Sequence, residues 1–312
     1  MILRGQHVHA LSSGRLTEAL QTAEQFAEVA YSSGQNEFQI GAQHNLSQVN
    51  LVLGNPLAAV AEGEKGIALF NEEDQSIDGW AGGAPIVQCY VWSAAAAACI
   101  GDNQRSRDYA AAALRLSEQT GQDFSRVHCY ALLCIQAIIR RDISSALELS
   151  EQANRICEKY NIRQWGAWAR MAQRWAGAQQ TQAPAPLAEF KDAFESYRNL
   201  GVRLCEPFFL GLLADVYLLA GETVEGLAAV EQALKATYQT GEKWFVAELS
   251  RLEGRLIGAG ANEDSKRIVV SLRKGIEVAT TQEANLFALR CAIDLARLGG
   301  SAELPPESQE LL

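Results

Sequence analysis

A turn residue returns along this chain about every 40 residues, and no other feature limits so tightly what the chain can fold into. The clearest unit is AGETVEGLAAVEQALKATYQTGEKWFVAELSRLEG, residues 220–254. Gly221 and Gly241 sit where helices end, because glycine enters left-handed backbone without a Cβ penalty. Between them Leu227, Val230 and Leu234 form an apolar stripe at helical spacing, and Phe245, Leu249, Leu252 and Leu256 form another after Gly241. Two helices joined in this way make a hairpin that cannot bury both stripes alone, so it requires neighbours of its own kind.

The neighbours are present. A turn residue, a small residue about five positions on and a second turn about twenty positions on recur at Gly14 (Ala19, Gly34), Gly54 (Ala59, Asp74), Gly101 (Ser106, Gly121) and Arg141 (Ala146, Asn161). They recur again at Thr181 (Pro186, Gly201), Gly221 (Gly226, Gly241) and, more weakly, Glu263 (Ile268, Glu283). Successive starts step by 40, 47, 40, 40, 40 and 42 residues. First helices of the pairs are expected near residues 2–13, 37–53, 85–100, 124–140, 163–179, 206–220 and 243–259, with an unpaired helix at 284–298. Asn55 before Pro56 reads as an N-cap and first helical residue, Asp142 as another N-cap, and Pro207 as a first-turn proline. GGSAELPPESQELL then breaks the pattern, which predicts a repeat domain over 1–298 and a polar tail over 299–312.

Two helices per period point to an α-solenoid of tetratricopeptide or HEAT type. Small residues on the second helices (Ala19, Ala23, Ala59, Ala110, Ala113, Ala146, Ala153, Ala233) favour the closely packed tetratricopeptide geometry. The period exceeds the roughly 34 residues of that unit, which lengthens the helices.

EPFFLGLLADVYLLAGETVEGL (206–227), GEKWFVAELSRLEGRLIG (241–258) and the spacing of Trp165, Trp168 and Trp175 resemble the C-terminal tetratricopeptide region of large bacterial signalling proteins. Those proteins carry a P-loop signal-transduction ATPase, often with a class III adenylate/guanylate cyclase or a DNA-binding transcriptional regulator domain. The resemblance runs from about residue 3 to residue 298 and is most specific over 206–258. It implies an all-α, right-handed α-solenoid of about seven tetratricopeptide-like hairpins with a C-terminal capping helix, acting as a sensor or docking arm without catalysis of its own. No ATPase or cyclase module is present within these 312 residues, as in either an excised arm or a free-standing relative, and Arg141, Thr181 and Glu263 lack the turn glycine.

In such a superhelix the first helix of each pair lines the concave surface. That register places His44, Gln48, Val91, Ala95, His128, Ile135, Trp168, Met171, Trp175, Phe208 and Asp215 towards a trough suited to an extended or helical peptide. The competing reading assigns half of these aromatics to the core between repeats. The 47-residue step also leaves an insertion between Asn71 and Pro85 with Trp80, Gly82 and Gly83, either a binding loop or an ordinary surface loop.

Other chemistries find little footing. No G-x-x-x-x-G-K-[ST] cradle exists, and GEKG at 63–66 falls inside a helical pattern where glycines permit close helix contact. His7 and His9 are two apart on a helix and do not face one another, which leaves no metal site. The acidic run at 71–78 reads as a solvated loop, and Arg163, Arg170 and Arg174 as a solvated face. A net charge of −10 argues against a nucleic-acid partner. No apolar run is long enough for a membrane span and no secretory leader opens the chain, so a cytoplasmic location is expected. The seven cysteines are odd in number and scattered among apolar residues, as buried thiols would be.

The expectation is therefore a non-enzymatic arm, without cofactor, that binds a protein, a peptide or a small effector. The alternative is a scaffold whose copies associate through repeat surfaces with no groove ligand. An α/α-toroid enzyme would need a ring of inward carboxylates, and Asp215 is the one inward carboxylate in this register.

Overall fold

The computed structural model describes residues 2–71, 84–182, 187–260 and 264–298. Among them the backbone forms helices and the turns between them, with no strand. The helices are α1 (Ile2–Ser12), α2 (Leu16–Ser33), α3 (Asn36–Leu53), α4 (Pro56–Ala68), α5 (Pro85–Ile100), α6 (Asn103–Gln119), α7 (Asp123–Ile139) and α8 (Ile143–Tyr160). There follow α9 (Arg163–Thr181), α10 (Leu187–Arg198), α11 (Glu206–Ala220), α12 (Thr223–Thr240), α13 (Val246–Ala259), α14 (Ser265–Thr281) and α15 (Asn285–Arg297). They pair as seven hairpins from α1/α2 to α13/α14, and α15 closes the series. Odd-numbered helices from α3 onward also pack on one another in order, so the chain is an all-α solenoid.

The turns carry the beat seen in the sequence. Gly14, Gly34, Gly54, Gly101, Gly121, Gly201, Gly221 and Gly241 adopt left-handed backbone, and so do Arg141, Asn161 and Glu283 without being glycine. In the fifth hairpin the left-handed residue is Gln182 rather than Thr181, because α9 continues through Thr181. Asp74, Pro186, Glu263 and the insertion with Trp80, Gly82 and Gly83 lie outside the described residues.

Small residues after the turns mark where paired helices meet. The Ser47 hydroxyl donates to the Ala59 carbonyl at 2.7 Å, and His7 Nδ1 bonds the Ala19 carbonyl at 2.8 Å. The glycines of GEKG seat α4 on α5: a Cβ at Gly63 would lie 2.0 Å from Ser93 Oγ, and one at Gly66 would lie 2.6 Å from Cys89 Sγ. Asp142 caps α8 by accepting from the Ser145 N–H, whereas Asn55 holds the N-cap position of α4 without a side-chain bond. All seven cysteines are buried and free. Among the described residues no helix is long and apolar enough to cross a membrane.

The solenoid winds so tightly that successive turns touch. The Arg203 N–H donates to the Ser12 carbonyl at 2.7 Å, the Lys243 N–H donates to the Val52 carbonyl at 2.8 Å, and α15 packs against α5. Each of these contacts joins a hairpin to the one five places further along. The seats are glycines at the ends of first helices: a Cβ on Gly14 would meet Thr240 Cγ2 at 2.7 Å, and one on Gly54 would meet Lys243 Cβ at 3.3 Å. With the next turn resting there, α5 and α11 are buried over nearly their whole length. That is why α5 and α11 are apolar all round rather than striped.

Candidate functional site

The first-helix residues expected on a concave inner face are not open to solvent. His44, Gln48, Val91, Ala95, His128, Ile135, Trp168, Met171, Trp175, Phe208 and Asp215 are all buried. Their burial corrects the expectation that these side chains line an open trough. Trp168 meets Phe209 edge-on at 4.8 Å and Tyr197 at 5.9 Å, and Phe208 stacks on Trp244 at 5.2 Å, the geometry of a packed aromatic core.

The amino-terminal part of this inner face is polar. Gln88 Nε2 lies 3.1 Å from His128 Nδ1, and the His128 ring lies 4.3 Å from Trp165. Burial, with the Arg4, His7 and His128 charges adding, pushes the pKa of His44 well below the usual histidine value. No group of His, Cys, Asp and Glu among the described residues is arranged to hold a metal ion.

At the other end the inner face carries ions. The turn after α7 points the Arg141 side chain inward, where Nη1 lies 2.7 Å from Asp215 Oδ2 on α11 and Nη2 lies 3.2 Å from Glu248 Oε1 on α13. Asp215 Oδ2 also accepts from Trp175 Nε1 and Gln179 Nε2, each at 2.8 Å. Arg251 grips Glu248 with two parallel bonds of 2.9 and 2.7 Å and reaches Asp294 on α15 with a third, at 2.7 Å. From α15, Arg290 donates to the Ile139 carbonyl at 2.5 Å and lies 3.9 Å from Glu248. Ion pairs of this depth hold only where the hydrogen bonds are complete, and here the forked guanidinium geometry supplies them.

The carboxylates are kept ionised against their burial. Burial alone would raise Glu248, but Arg251, Arg290 and Arg141 together hold its carboxyl far below the usual range. Asp215 is likewise raised by burial and lowered further by Arg141 and Arg251. Burial pushes Arg290 below its ordinary value, with Glu248 opposing and Arg141 and Arg251 adding to the shift.

Above this network opens a vestibule of about 230 Å³ lined by Arg141, Arg251, Arg255, Arg290, Arg297, Ile293 and Asp294. Its walls come from two turns of the superhelix. A wider cleft of about 700 Å³ lies against α6, α7 and α8, but Arg107, Arg126 and Arg140 there face Glu118, Asp142 and Glu148, which leaves little net charge to select a ligand.

Of the vestibule and the network beneath it, sequence reasoning found Asp215 and Trp175 and missed Arg141, Glu248, Arg251, Arg255, Arg290 and Asp294. Two signals were available. Arg141 occupies a position where the other turns favour glycine, and Glu248, Arg251 and Arg255 stand forty residues after Phe208, Gly211 and Asp215, putting charge where the preceding repeat is mostly apolar.

No family model matches the chain. Over 265 residues it is 22% identical to an uncharacterized protein of Rhizobium meliloti (strain 1021), a match covering 84% of this chain and 26% of that protein. The chain thus spans about a quarter of the length of the curated relative it matches. Among solved structures it is similar to yeast Tom70, with a TM-score of 0.44 and 14% identity over 95% of this chain and 56% of that one.

Proposed function

We propose that this chain is a non-enzymatic helical-repeat arm that senses an effector in the arginine-lined vestibule and relays occupancy to a protein partner. One observation carries the reading: Arg141 on one turn and Arg251, Arg255 and Arg290 on the next surround a single opening. A ligand there touches both turns, so its binding biases how they sit on each other, and small rotations at each hairpin interface add along a solenoid.

The output module proposed for the arm is a signal-transduction ATPase with a cyclase or transcriptional regulator domain. Support comes from the resemblance over residues 206–258, and the match to part of a longer bacterial relative fits an arm that serves a larger assembly. The test is the coding sequence flanking this segment, followed by ATP hydrolysis of the polypeptide it specifies. A P-loop module whose rate changes several-fold on Arg290→Ala supports the relay. A rate that ignores both that substitution and removal of the arm overturns it.

A further inference from the structure

We infer that the vestibule binds a compact oxyanion with two negative charges, a phosphomonoester or a small dicarboxylate, clamped between Arg141 on one turn and Arg251, Arg255 and Arg290 on the next. The inference rests on the vestibule being the effector site and adds the chemistry of its ligand.

Size comes first. A cavity of about 230 Å³ is smaller than the roughly 300–1,000 Å³ of sites for drug-sized ligands. A small metabolite fits within it.

Charge comes second. Five of the seven lining residues are arginines and one is an aspartate. The nearby carboxylates are already engaged: Glu248 by Arg251 and Arg141, Asp215 by Arg141, Trp175 and Gln179, and Asp294 by Arg251 and Arg297. Counting Arg141, Arg251, Arg255, Arg290 and Arg297 against Asp215, Glu248 and Asp294 leaves about two positive charges unmatched. Arg255 is the clearest of these, exposed at the cavity and, among the described residues, joined by neither an ion pair nor a hydrogen bond. Arg290 spends one donor on a neutral carbonyl, and its nearest carboxylate oxygen is 3.9 Å away.

Recognition comes third. The planar guanidinium fork matches the paired oxygens of carboxylate and phosphate, and arginines gathered in a recess raise the local concentration of anions. A dianion neutralises the surplus. By bridging residues from α13 and α15 to the turn after α7, it also tightens the same contact between turns that Arg290 makes through Ile139.

The experiment is calorimetric titration of the whole chain, in low-chloride buffer near pH 7.5, with inorganic phosphate, glycerol 3-phosphate and succinate in turn. Arg255→Gln and Arg255→Glu are compared with wild type, and Arg174→Gln, beside a different surface pocket, is the control. Because Arg255 is exposed and makes no hydrogen bond or ion pair among the described residues, both substitutions are expected to leave the fold intact, which circular dichroism checks. Saturable binding of at least one probe at one per chain is expected, weakened tenfold or more by Arg255→Gln, abolished by Arg255→Glu and unchanged by Arg174→Gln. The preferred probe tells phosphomonoester from dicarboxylate. Absence of saturable binding by all three, or equal affinity in wild type and Arg255→Gln, overturns the assignment. If hydrolysis by the output module still responds to Arg290→Ala in that case, the arm stands and only its ligand class falls.

Discussion

Arg141 and Asp215, 74 residues apart in sequence, meet with Nη1 2.7 Å from Oδ2, and Arg141 makes this contact from left-handed backbone at φ 58. A non-glycine residue there costs roughly 1–2 kcal/mol. The side chain offsets that strain by pairing with two buried carboxylates, Asp215 and Glu248.

Replacing glycine-like positions separates strain from pairing. Glu283 is also left-handed, at φ 56, and is exposed. Glu283→Gly is expected to raise stability by about 1 kcal/mol as strain is released. Arg141→Gly releases the same strain but leaves Asp215 and Glu248 short of a partner, so a net loss of about 2–4 kcal/mol is expected. Urea midpoints of the two variants that move in the same direction would contradict this.

Asp215→Asn tests the acceptor. Asp215 Oδ2 receives Arg141, Trp175 and Gln179, and an amide brings one oxygen and two further donors into that cluster. A loss of about 3 kcal/mol is expected, read by chemical denaturation. Wild-type stability in this variant would mean the network does not brace the turns.

Contact between turns is tested by a pair of glycines. A Cβ on Gly14 meets Thr240 and Arg203 in the next turn, whereas a Cβ on Gly34 meets nothing within 4 Å. Both alanine variants carry left-handed strain of about 1 kcal/mol, but only Gly14→Ala should also push the turns apart. Small-angle X-ray scattering should show a larger radius of gyration for Gly14→Ala alone.

The inner aromatics are expected to matter for folding. Trp168 and Trp175 are buried in the core, and truncating either to alanine should cost about 3–5 kcal/mol. Thermal unfolding monitors this directly. A double variant with unchanged stability would restore the open trough.

Acid should loosen the amino-terminal half. Burial drives His7 down to about 4, with the Ala19 carbonyl bond opposing and Arg4 adding. Since the folded value lies below the ordinary 6.5, the unfolded chain takes up the proton first, and stability is lost as pH falls from about 6.5 to about 4. At pH 5 the loss from His7 alone is about 2 kcal/mol. His44, whose value burial also lowers, with the Arg4 and His7 charges adding, loses stability in the same direction. Denaturation midpoints between pH 7 and pH 4.5 should fall in wild type and fall less in His7→Gln, which can still donate to the Ala19 carbonyl.

The helices were legible from local chemistry. Gly54, Gly101 and Gly221 end their helices where the spacing placed them, and α5 and α11 begin and stop as read. These features depend on neighbours within a few residues, which is the range over which backbone preference and apolar periodicity act. Gly14 and Gly34 look alike by the same measure, yet one bears the weight of another turn and the other faces open space. Nothing within a few residues of either distinguishes them.

By itself, then, the sequence determined seven helical hairpins and a closing helix. Tertiary structure alone decided that the inward residues are core, and that charge collects where Arg141 meets α13 and α15. The reason is pitch. How closely one turn lies on the next is a sum of small rotations over five hairpins, and each rotation depends on side-chain volumes at an interface between residues far apart in the chain.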